Sequence, residues 1–239
     1  MTGPTTLVLL PGMDGTTALF RAFIEALPKG FDAIPVVYPP HVVLERDELR
    51  ALAERALPDD RPFVLVGESF SGPLAVEIAA RAPKGLAGLV LVSSFLRAPV
   101  AWPRFWRAIA REEIFFVTPP RALVRAVLLG RDASTSTVDA ARAAVSSVAP
   151  RVLVHRAKQV LHVDVTSAFA SLEVPVLALF GARDRLVGAR ARAHLAASHR
   201  GAQSVVVDGP HLLLQHLPSA CARIVAEFCV ERARADRAA

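Results

Sequence analysis

One serine stands in a run of small residues directly after an apolar segment. The run is Gly67-Glu68-Ser69-Phe70-Ser71-Gly72-Pro73. A chain that turns sharply from a strand into a helix needs small residues two positions to either side of the turn, and such a turn exposes the serine hydroxyl. Gly67 meets this need, whereas the second small position is Ser71, with Gly72 directly after it. The pattern predicts that Ser69 is a nucleophile.

A nucleophilic serine needs a general base, and the base needs a carboxylate to orient it. Asp184 follows the apolar segment that ends in Phe180-Gly181, and His211 follows the next apolar segment, after Gly209-Pro210. We predict that His211 is the base and Asp184 the acid. Asp208 is the alternative acid, but it stands three residues before His211 on the same segment, which makes the required geometry harder to reach.

A glycine-containing loop, Pro11-Gly12-Met13-Asp14-Gly15, follows the first apolar segment. We predict that the backbone amides of Met13 and Phe70 bind the developing oxyanion, because acyl transfer needs two such donors near the nucleophile. Gly12 is predicted to contact the substrate. Asp14 is interpreted as a hydrogen-bond acceptor that braces the loop, and the neighbouring Glu68 is assigned no chemical role.

Short apolar segments and helix-period segments alternate along the chain, which predicts a parallel sheet covered by helices on both faces. The predicted strands are Thr6–Leu10, Ala33–Tyr38, Phe63–Gly67, Leu89–Ser93, Val174–Gly181 and Ser204–Asp208. The predicted helices are Thr17–Leu27, Leu44–Leu57, Pro73–Arg81, Ala189–Ser198 and Ser219–Arg232. Ser69, Asp184 and His211 then all lie at the carboxyl ends of strands, where parallel sheets bind ligands.

Residues 95–171 interrupt this alternation between the fourth and fifth strands. They have helical periodicity broken by prolines, so we predict a helical lid over residues 95–171 and a core formed by residues 1–94 and 172–239. The aromatic residues of this segment are candidates for lining an acyl pocket, although they could equally pack the lid onto the core: Trp102, Phe105, Trp106, Phe115 and Phe116.

The lid segment also carries the positive charge of the chain. It has eleven basic residues against five acidic ones, an excess that equals the net charge of +6 of all 239 residues. The basic residues are Arg97, Arg104, Arg107, Arg111, Arg121, Arg125, Arg131, Arg142, Arg151, Arg156 and Lys158. The segment is either a solvated helical surface or a docking surface for an acidic partner such as an acyl carrier protein. Binding to nucleic acid or to an anionic membrane surface is a third alternative, but the arginines are scattered and accompany no nucleic-acid motif, so no nucleic-acid partner is expected.

The serine, acid and histidine in this order, each after its own strand, resemble the α/β-hydrolase superfamily over essentially the whole chain. The short core and the lid are similar to small carboxylesterases of the pimeloyl-acyl-carrier-protein methyl ester esterase type. Pro11-Gly12 departs from the usual His-Gly of that loop, which also resembles phytyl ester synthase-type acyltransferases. The resemblance implies an α/β-hydrolase fold with a trimmed, mostly parallel sheet of about six strands.

We therefore predict a serine hydrolase that cleaves esters or thioesters of an apolar acyl group, with no metal and no cofactor. Acyl transfer to an alcohol and a ligand-binding protein without turnover are the alternatives. With 53% hydrophobic residues, the chain can bury a large core, and its apolar runs are too short to span a membrane. We see no signal peptide and expect a cytoplasmic protein with two buried, unpaired cysteines. The oligomeric state stays open.

Overall fold

The computed structural model describes residues 5–98 and 118–238. Its strands form one sheet of six parallel strands in the order β2-β1-β3-β4-β5-β6. Their bounds are β1 Thr5–Leu10, β2 Phe31–Pro35, β3 Phe63–Glu68, β4 Leu86–Val92, β5 Val176–Gly181 and β6 Gln203–Val207. The predicted parallel sheet of about six strands is confirmed.

Helices connect these strands. Within the described residues they are α1 Arg21–Glu25, α2 Arg46–Glu54, α3 Gly72–Ala79, α4 Arg121–Val124, α5 Thr135–Ser146, α6 Pro150–His162, α7 Thr166–Ala170, α8 Ala189–Ser198, α9 Leu213–His216 and α10 Pro218–Ala238. A 3-10 turn, Ala18–Phe20, precedes α1, so the predicted helix over residues 17–27 is divided and shorter.

The sheet divides the core into two layers. Side chains alternate along a strand, and accordingly Val8 and Leu10 pack on one face of β1 while Leu7 and Leu9 pack on the other. Strands β3 and β5 are buried along their whole length because helices cover both of their faces. Because helices pack on both faces, the sheet is held rigidly. The loops after β1, β3, β5 and β6 all leave it at its carboxyl edge.

The second strand lies earlier in the chain than predicted. The prediction placed it at residues 33–38, whereas β2 is Phe31–Pro35. The Val36 amide donates the last bond to β1, to Leu9 O at 2.9 Å, and the Tyr38 amide donates instead to Gly15 O in the loop after β1. The side chain of Val37 is 53% exposed. The apolar run beyond Val36 is therefore a connection rather than a strand.

Helices α4 to α7 lie between β4 and β5, within the segment predicted to be a lid. A π-helical turn, Arg125–Leu129, follows α4 directly. Helix α6 is bonded to the connection after β2: Ala149 N donates to Pro40 O at 2.9 Å and Gln159 Nε2 to Leu44 O at 3.0 Å. The five predicted pocket aromatics, Trp102, Phe105, Trp106, Phe115 and Phe116, lie outside the described residues.

The two cysteines, Cys221 and Cys229, are buried on α10 and form no disulfide. Burial raises the pKa of each thiol to about 12, so both stay protonated and packed in the core. Within the described part of the chain, no helix is long and apolar enough to cross a membrane.

Candidate active site

Ser69 occupies a sharp turn directly after β3. Its φ angle is +47°, a left-handed conformation that is uncommon for a residue with a side chain. The turn brings the chain back so closely that a Cβ on Gly67 would lie 2.8 Å from the Ala75 Cβ and 2.9 Å from the Ser71 carbonyl oxygen. A glycine two residues before Ser69 is therefore a steric requirement of this turn.

The second glycine of the turn is required for a different reason. A Cβ on Gly72 would overlap Ser94 Oγ, which lies after β4. Ser94 Oγ donates a hydrogen bond of 2.8 Å to the carbonyl oxygen of Ser69. The close approach of α3 to Ser94 thus lets a buried hydroxyl hold the strained residue in place.

Ser69, His211 and Asp184 form a chain of hydrogen bonds at the carboxyl edge of the sheet. Ser69 Oγ lies 2.9 Å from His211 Nε2, and His211 Nδ1 lies 2.8 Å from Asp184 Oδ2. The other oxygen of Asp184 accepts hydrogen bonds from the amides of Leu186 and Val187 at 2.8 and 2.9 Å. The Asp184 side chain is fully buried and that of His211 is 4% exposed. Packing therefore restrains the orientation of both side chains.

Asp208, the alternative acid, points elsewhere. Its side chain is 84% exposed and pairs with Arg183, whose Nε lies 2.8 Å from Asp208 Oδ1. Of the two candidate acids, the structure brings Asp184 to the imidazole.

Burial and charge act in opposite directions on His211. Burial lowers the pKa of the imidazole, while the negative charge and hydrogen bond of Asp184 raise it, and Glu68 adds to that increase. The charges prevail, so the pKa of His211 lies above its usual value of 6.5. An imidazole of this kind accepts a proton more readily than a free one.

Residues 11–15 form a tight loop beside the turn at Ser69. The Gly15 amide donates to Gly12 O at 3.0 Å, and Ser71 Oγ donates to Pro11 O. Residue 71 is therefore more than a small residue: its hydroxyl ties the turn that carries Phe70 to the loop that carries Met13. Met13 is half-buried, and Phe70 is buried.

Two buried carboxyl groups lie at this part of the molecule, Asp14 in the loop itself and Glu68 at the end of β3. Asp14 Oδ2 accepts hydrogen bonds from the amide and the hydroxyl of Thr16 at 2.9 and 2.6 Å, as expected for a residue that braces the loop. Glu68 Oε1 accepts from Gln215 Nε2 at 3.0 Å. Burial raises the pKa of both carboxyls, that of Glu68 to about 7. Glu68 is thus a titratable group near neutral pH, which the sequence did not indicate.

Arg156 is a second residue whose position sequence analysis missed. It was counted with the basic residues of the lid, but it is 2% exposed and donates to the carbonyls of the loop at residues 11–15. No pattern in the sequence separates it from the exposed arginines, because its partners lie more than a hundred residues away in the chain.

The chain belongs to the alpha/beta hydrolase family, whose model matches residues 5–226. This confirms the superfamily and defines the class of protein as a hydrolase of α/β fold. A curated relative, the chloroplastic phytyl ester synthase 1 of Arabidopsis thaliana, is 34% identical over 126 residues, which are 48% of this chain and 18% of that protein. The chain thus matches less than a fifth of the length of this relative and 5% of the length of a second curated relative.

Solved structures resemble nearly the whole chain. The enol-lactonase from Burkholderia xenovorans LB400 has a TM-score of 0.80 and 16% identity over 95% of this chain and 92% of that one. A thermophilic esterase from Thermogutta terrifontis has a TM-score of 0.79 and 22% identity over 97% of this chain and 92% of that one. At these identities the likeness establishes the fold and leaves the substrate to the site itself.

Proposed function

We propose that the protein is a serine hydrolase that cleaves carboxylic esters or thioesters of an apolar acyl group. The observation that carries the proposal is the hydrogen-bonded chain from Ser69 through His211 to the buried carboxylate of Asp184. A serine becomes nucleophilic when a neutral imidazole accepts its proton, and that imidazole works best when a carboxylate fixes its tautomer.

In the proposed reaction, Ser69 Oγ attacks the carbonyl carbon of the ester while His211 Nε2 accepts the hydroxyl proton. The amides of Met13 and Phe70 bind the oxyanion of the tetrahedral intermediate, and His211 then returns the proton to the leaving alcohol or thiol. Water attacks the acyl-enzyme in the same manner, with His211 again as base, and releases the carboxylic acid. These steps involve no metal or cofactor.

The apolar acyl group is assigned to the space beneath the segment 95–171, which we propose acts as a lid. Helices α4 to α7 of that segment lie between β4 and β5, and two contacts with loops at the carboxyl edge support the proposal. Arg156 on α6 donates to the loop at residues 11–15, and Leu128 O in the π-helical turn accepts from Leu212 N after β6. Trp102, Phe105, Trp106, Phe115 and Phe116 are proposed to line the acyl pocket and Gly12 to contact the substrate.

The experiment that tests the proposal is labelling with a fluorophosphonate, followed by intact mass and peptide mapping. One adduct on Ser69 is expected, together with loss of aryl ester turnover by several orders of magnitude in Ser69→Ala. His211→Ala should label slowly, whereas His41→Ala, which changes an exposed histidine, should label like the wild type. Turnover by Ser69→Ala at the wild-type level would overturn the assignment. A ligand bound tightly and returned unchanged by the unlabelled protein would instead favour the binding-protein alternative.

A thioester on an acidic acyl carrier is a second candidate substrate, and one feature favours it. A cavity of about 370 Å³ next to Pro210, which precedes His211, is lined by four arginines and one aspartate: Arg125, Arg131, Arg183, Arg185 and Asp132. Arg183 pairs with Asp132 and Asp208, and the other three arginines give the cavity its excess of positive charge. Guanidinium groups bind phosphate well, so this cavity suits a phosphate on the arm of a carrier. Arg131→Glu and Arg185→Glu should then lower kcat/KM for an acyl-carrier thioester and leave a short thioester unaffected, with the exposed Arg200→Glu as control.

Acyl transfer to an alcohol uses the same acyl-enzyme and stays an alternative, in keeping with the partial likeness to a phytyl ester synthase. Product analysis with a competing alcohol distinguishes the two outcomes. An ester product that accumulates in water identifies transfer, whereas free acid alone identifies hydrolysis.

A further inference from the structure

Arg156 is a charged side chain inside the protein, on the face of α6 that meets the loop at residues 11–15. Its Nη1 donates to Met13 O at 2.9 Å and to Asp14 O at 3.1 Å, and its Nη2 donates to Pro39 O at 3.2 Å. The guanidinium carbon lies 5.5 Å from the centre of the Tyr38 ring. The three hydrogen-bond acceptors are neutral backbone carbonyls.

Packing of the helix does not account for this residue. Its buried neighbours on α6 include Val152, Leu153 and Val160, and an apolar side chain of similar length would fill the same space. Burying a cation costs free energy unless its hydrogen bonds and nearby charges offset the loss of water. We therefore attribute the presence of a cation at this position to the carbonyl groups that it binds rather than to the space that it fills.

Two of the three carbonyls that Arg156 binds, those of Met13 and Asp14, belong to the loop proposed to bind the oxyanion. The peptide plane between Gly12 and Met13 sets the direction of the Met13 N–H, and it is fixed by the hydrogen bond from the Gly15 amide to Gly12 O. Arg156 fixes the next two peptide planes, through the carbonyls of Met13 and Asp14. Three successive planes are thus held, and the side chain of a distant helix holds two of them.

Gly15 makes room for this contact. A Cβ at this position would lie 2.5 Å from Arg156 Nη1 and 2.9 Å from the Tyr38 Cβ, and the φ angle of Gly15 is +71°. Because Gly15 has no side chain, the guanidinium of Arg156 can reach the carbonyls of the loop.

We propose that Arg156 is a positioning residue that sets the Met13 amide for oxyanion binding and thereby couples the docking of α6 to the chemical step. The inference rests on the proposed function, since it assigns to Arg156 an effect on a site that the proposal defines. Positioning of a transition-state donor should affect kcat far more than KM, because the ground-state carbonyl is bound weakly by that donor.

The test compares Arg156→Met with Gln159→Met. Gln159 lies on the same helix and donates to Leu44 O, so its replacement removes one bond between helix and loop away from residues 11–15. Turnover of an aryl ester is measured per reactive Ser69, counted by exhaustive fluorophosphonate labelling, so that unfolded protein does not enter the rate. Arg156→Met is expected to lose about 10²-fold in kcat with KM within about threefold of wild type. Gln159→Met is expected to keep the wild-type kcat.

A second variant keeps the test decisive if Arg156→Met fails to fold. Arg156→Lys retains the charge, but one ammonium group cannot replace a planar fork across three carbonyls, so about a tenfold loss in kcat is expected. The acidic limb of the pH profile should keep its midpoint in both variants, because the bonds of Arg156 reach the loop and not His211 or Asp184. A structural disturbance of the whole site would move that midpoint.

Two results overturn the proposal and differ from each other. If wild-type Ser69 labels and Ser69→Ala is inactive, but Arg156→Lys keeps kcat per site within twofold of wild type, the positioning role is wrong and the proposed function stands. If Ser69→Ala retains wild-type turnover, the proposed function itself is wrong and the role of Arg156 falls with it.

Discussion

The hydroxyl groups of Ser71 and Tyr38 lie 2.8 Å apart in the core, although 33 residues separate them in the chain. The one hydroxyl hydrogen of Ser71 is donated to Pro11 O, so Tyr38 is the donor in this contact. A chain of hydrogen bonds consequently runs from the connection after β2, through the turn that follows Ser69, to the loop at residues 11–15. This contact gives residue 71 a function that a glycine could not supply.

Ser71→Ala should lower the free energy of unfolding by about 1–3 kcal/mol, because it leaves both Tyr38 Oη and Pro11 O buried without a partner. Tyr38→Phe should cost less, since Ser71 still donates to Pro11 O. The double variant should cost less than the sum of the two, with a coupling of about 1 kcal/mol. Urea denaturation followed by circular dichroism measures all three, and strictly additive costs would contradict the contact.

Asp184→Asn should lower kcat for an aryl ester by about 10³–10⁴-fold with little loss of fold. The amide oxygen can still accept from Leu186 and Val187, but its NH₂ group then faces His211 Nδ1 and stabilises the wrong tautomer. Asp208→Asn is the matched control, because Asp208 is exposed and pairs with Arg183. Steady-state kinetics of both variants decide the acid, and similar losses in the two would exclude Asp184 as the residue that orients the base.

Gly72→Ala should destabilise the protein by about 1–3 kcal/mol, since the added Cβ meets Ser94 Oγ. The clash is with one side chain, so Ser94→Gly should relieve most of it. The combination of Gly72→Ala and Ser94→Gly is therefore expected to be less destabilising than the sum of its parts. Thermal melts of the four proteins test this, and a double variant as unstable as the sum would place the clash elsewhere.

The sequence predicted those parts of the fold that depend on local patterns. Strand β3 and the turn after it were placed nearly correctly, because an apolar run followed by Gly67 and Gly72 leaves few other conformations. Strand β2 was misplaced, since hydrophobicity alone does not reveal that the pairing with β1 ends with the bond from the Val36 amide to Leu9 O and that Tyr38 pairs with a loop instead. The order of the strands was not predicted, because long-range contacts set it.

The residues of the candidate site likewise fall into those that local patterns predict and those that they do not. Ser69, Asp184 and His211 were singled out from their types and from their positions at strand ends. The positions of Glu68 and Arg156 were missed, because burial is decided by elements distant in the chain. A glutamate beside a turn and an arginine on a basic helix are exposed by default, and the three-dimensional packing here overrides that default.

Glu68→Gln should change how stability depends on pH. The folded-state pKa of Glu68 is about 7, raised from 4.5, so the folded protein retains a proton that the unfolded chain loses. This term therefore destabilises the wild type as pH rises from 4.5 to 7. Relative to wild type, Glu68→Gln should gain about 2–3 kcal/mol in free energy of unfolding between pH 5 and pH 8. Urea denaturation at the two pH values checks this, and an unchanged difference would show that Glu68 is not protonated in the folded state.

The same variant should move the acidic limb of the activity profile. The reaction needs neutral His211, so kcat/KM rises with pH through the pKa of His211 in the free enzyme. The carboxylate of Glu68 contributes to the increase in that pKa, although less than Asp184 does. Replacing it by a neutral amide removes that contribution, so the limb should move to lower pH. The shift should be smaller than a permanent charge would cause, because wild-type Glu68 is itself protonated below a pH of about 7. Asp208→Asn removes an exposed carboxylate and should leave the limb in place. Profiles of kcat/KM for an aryl ester from pH 5 to 9 measure the shift, and a limb that stays put or moves to higher pH in Glu68→Gln would exclude an effect of the Glu68 charge on the base.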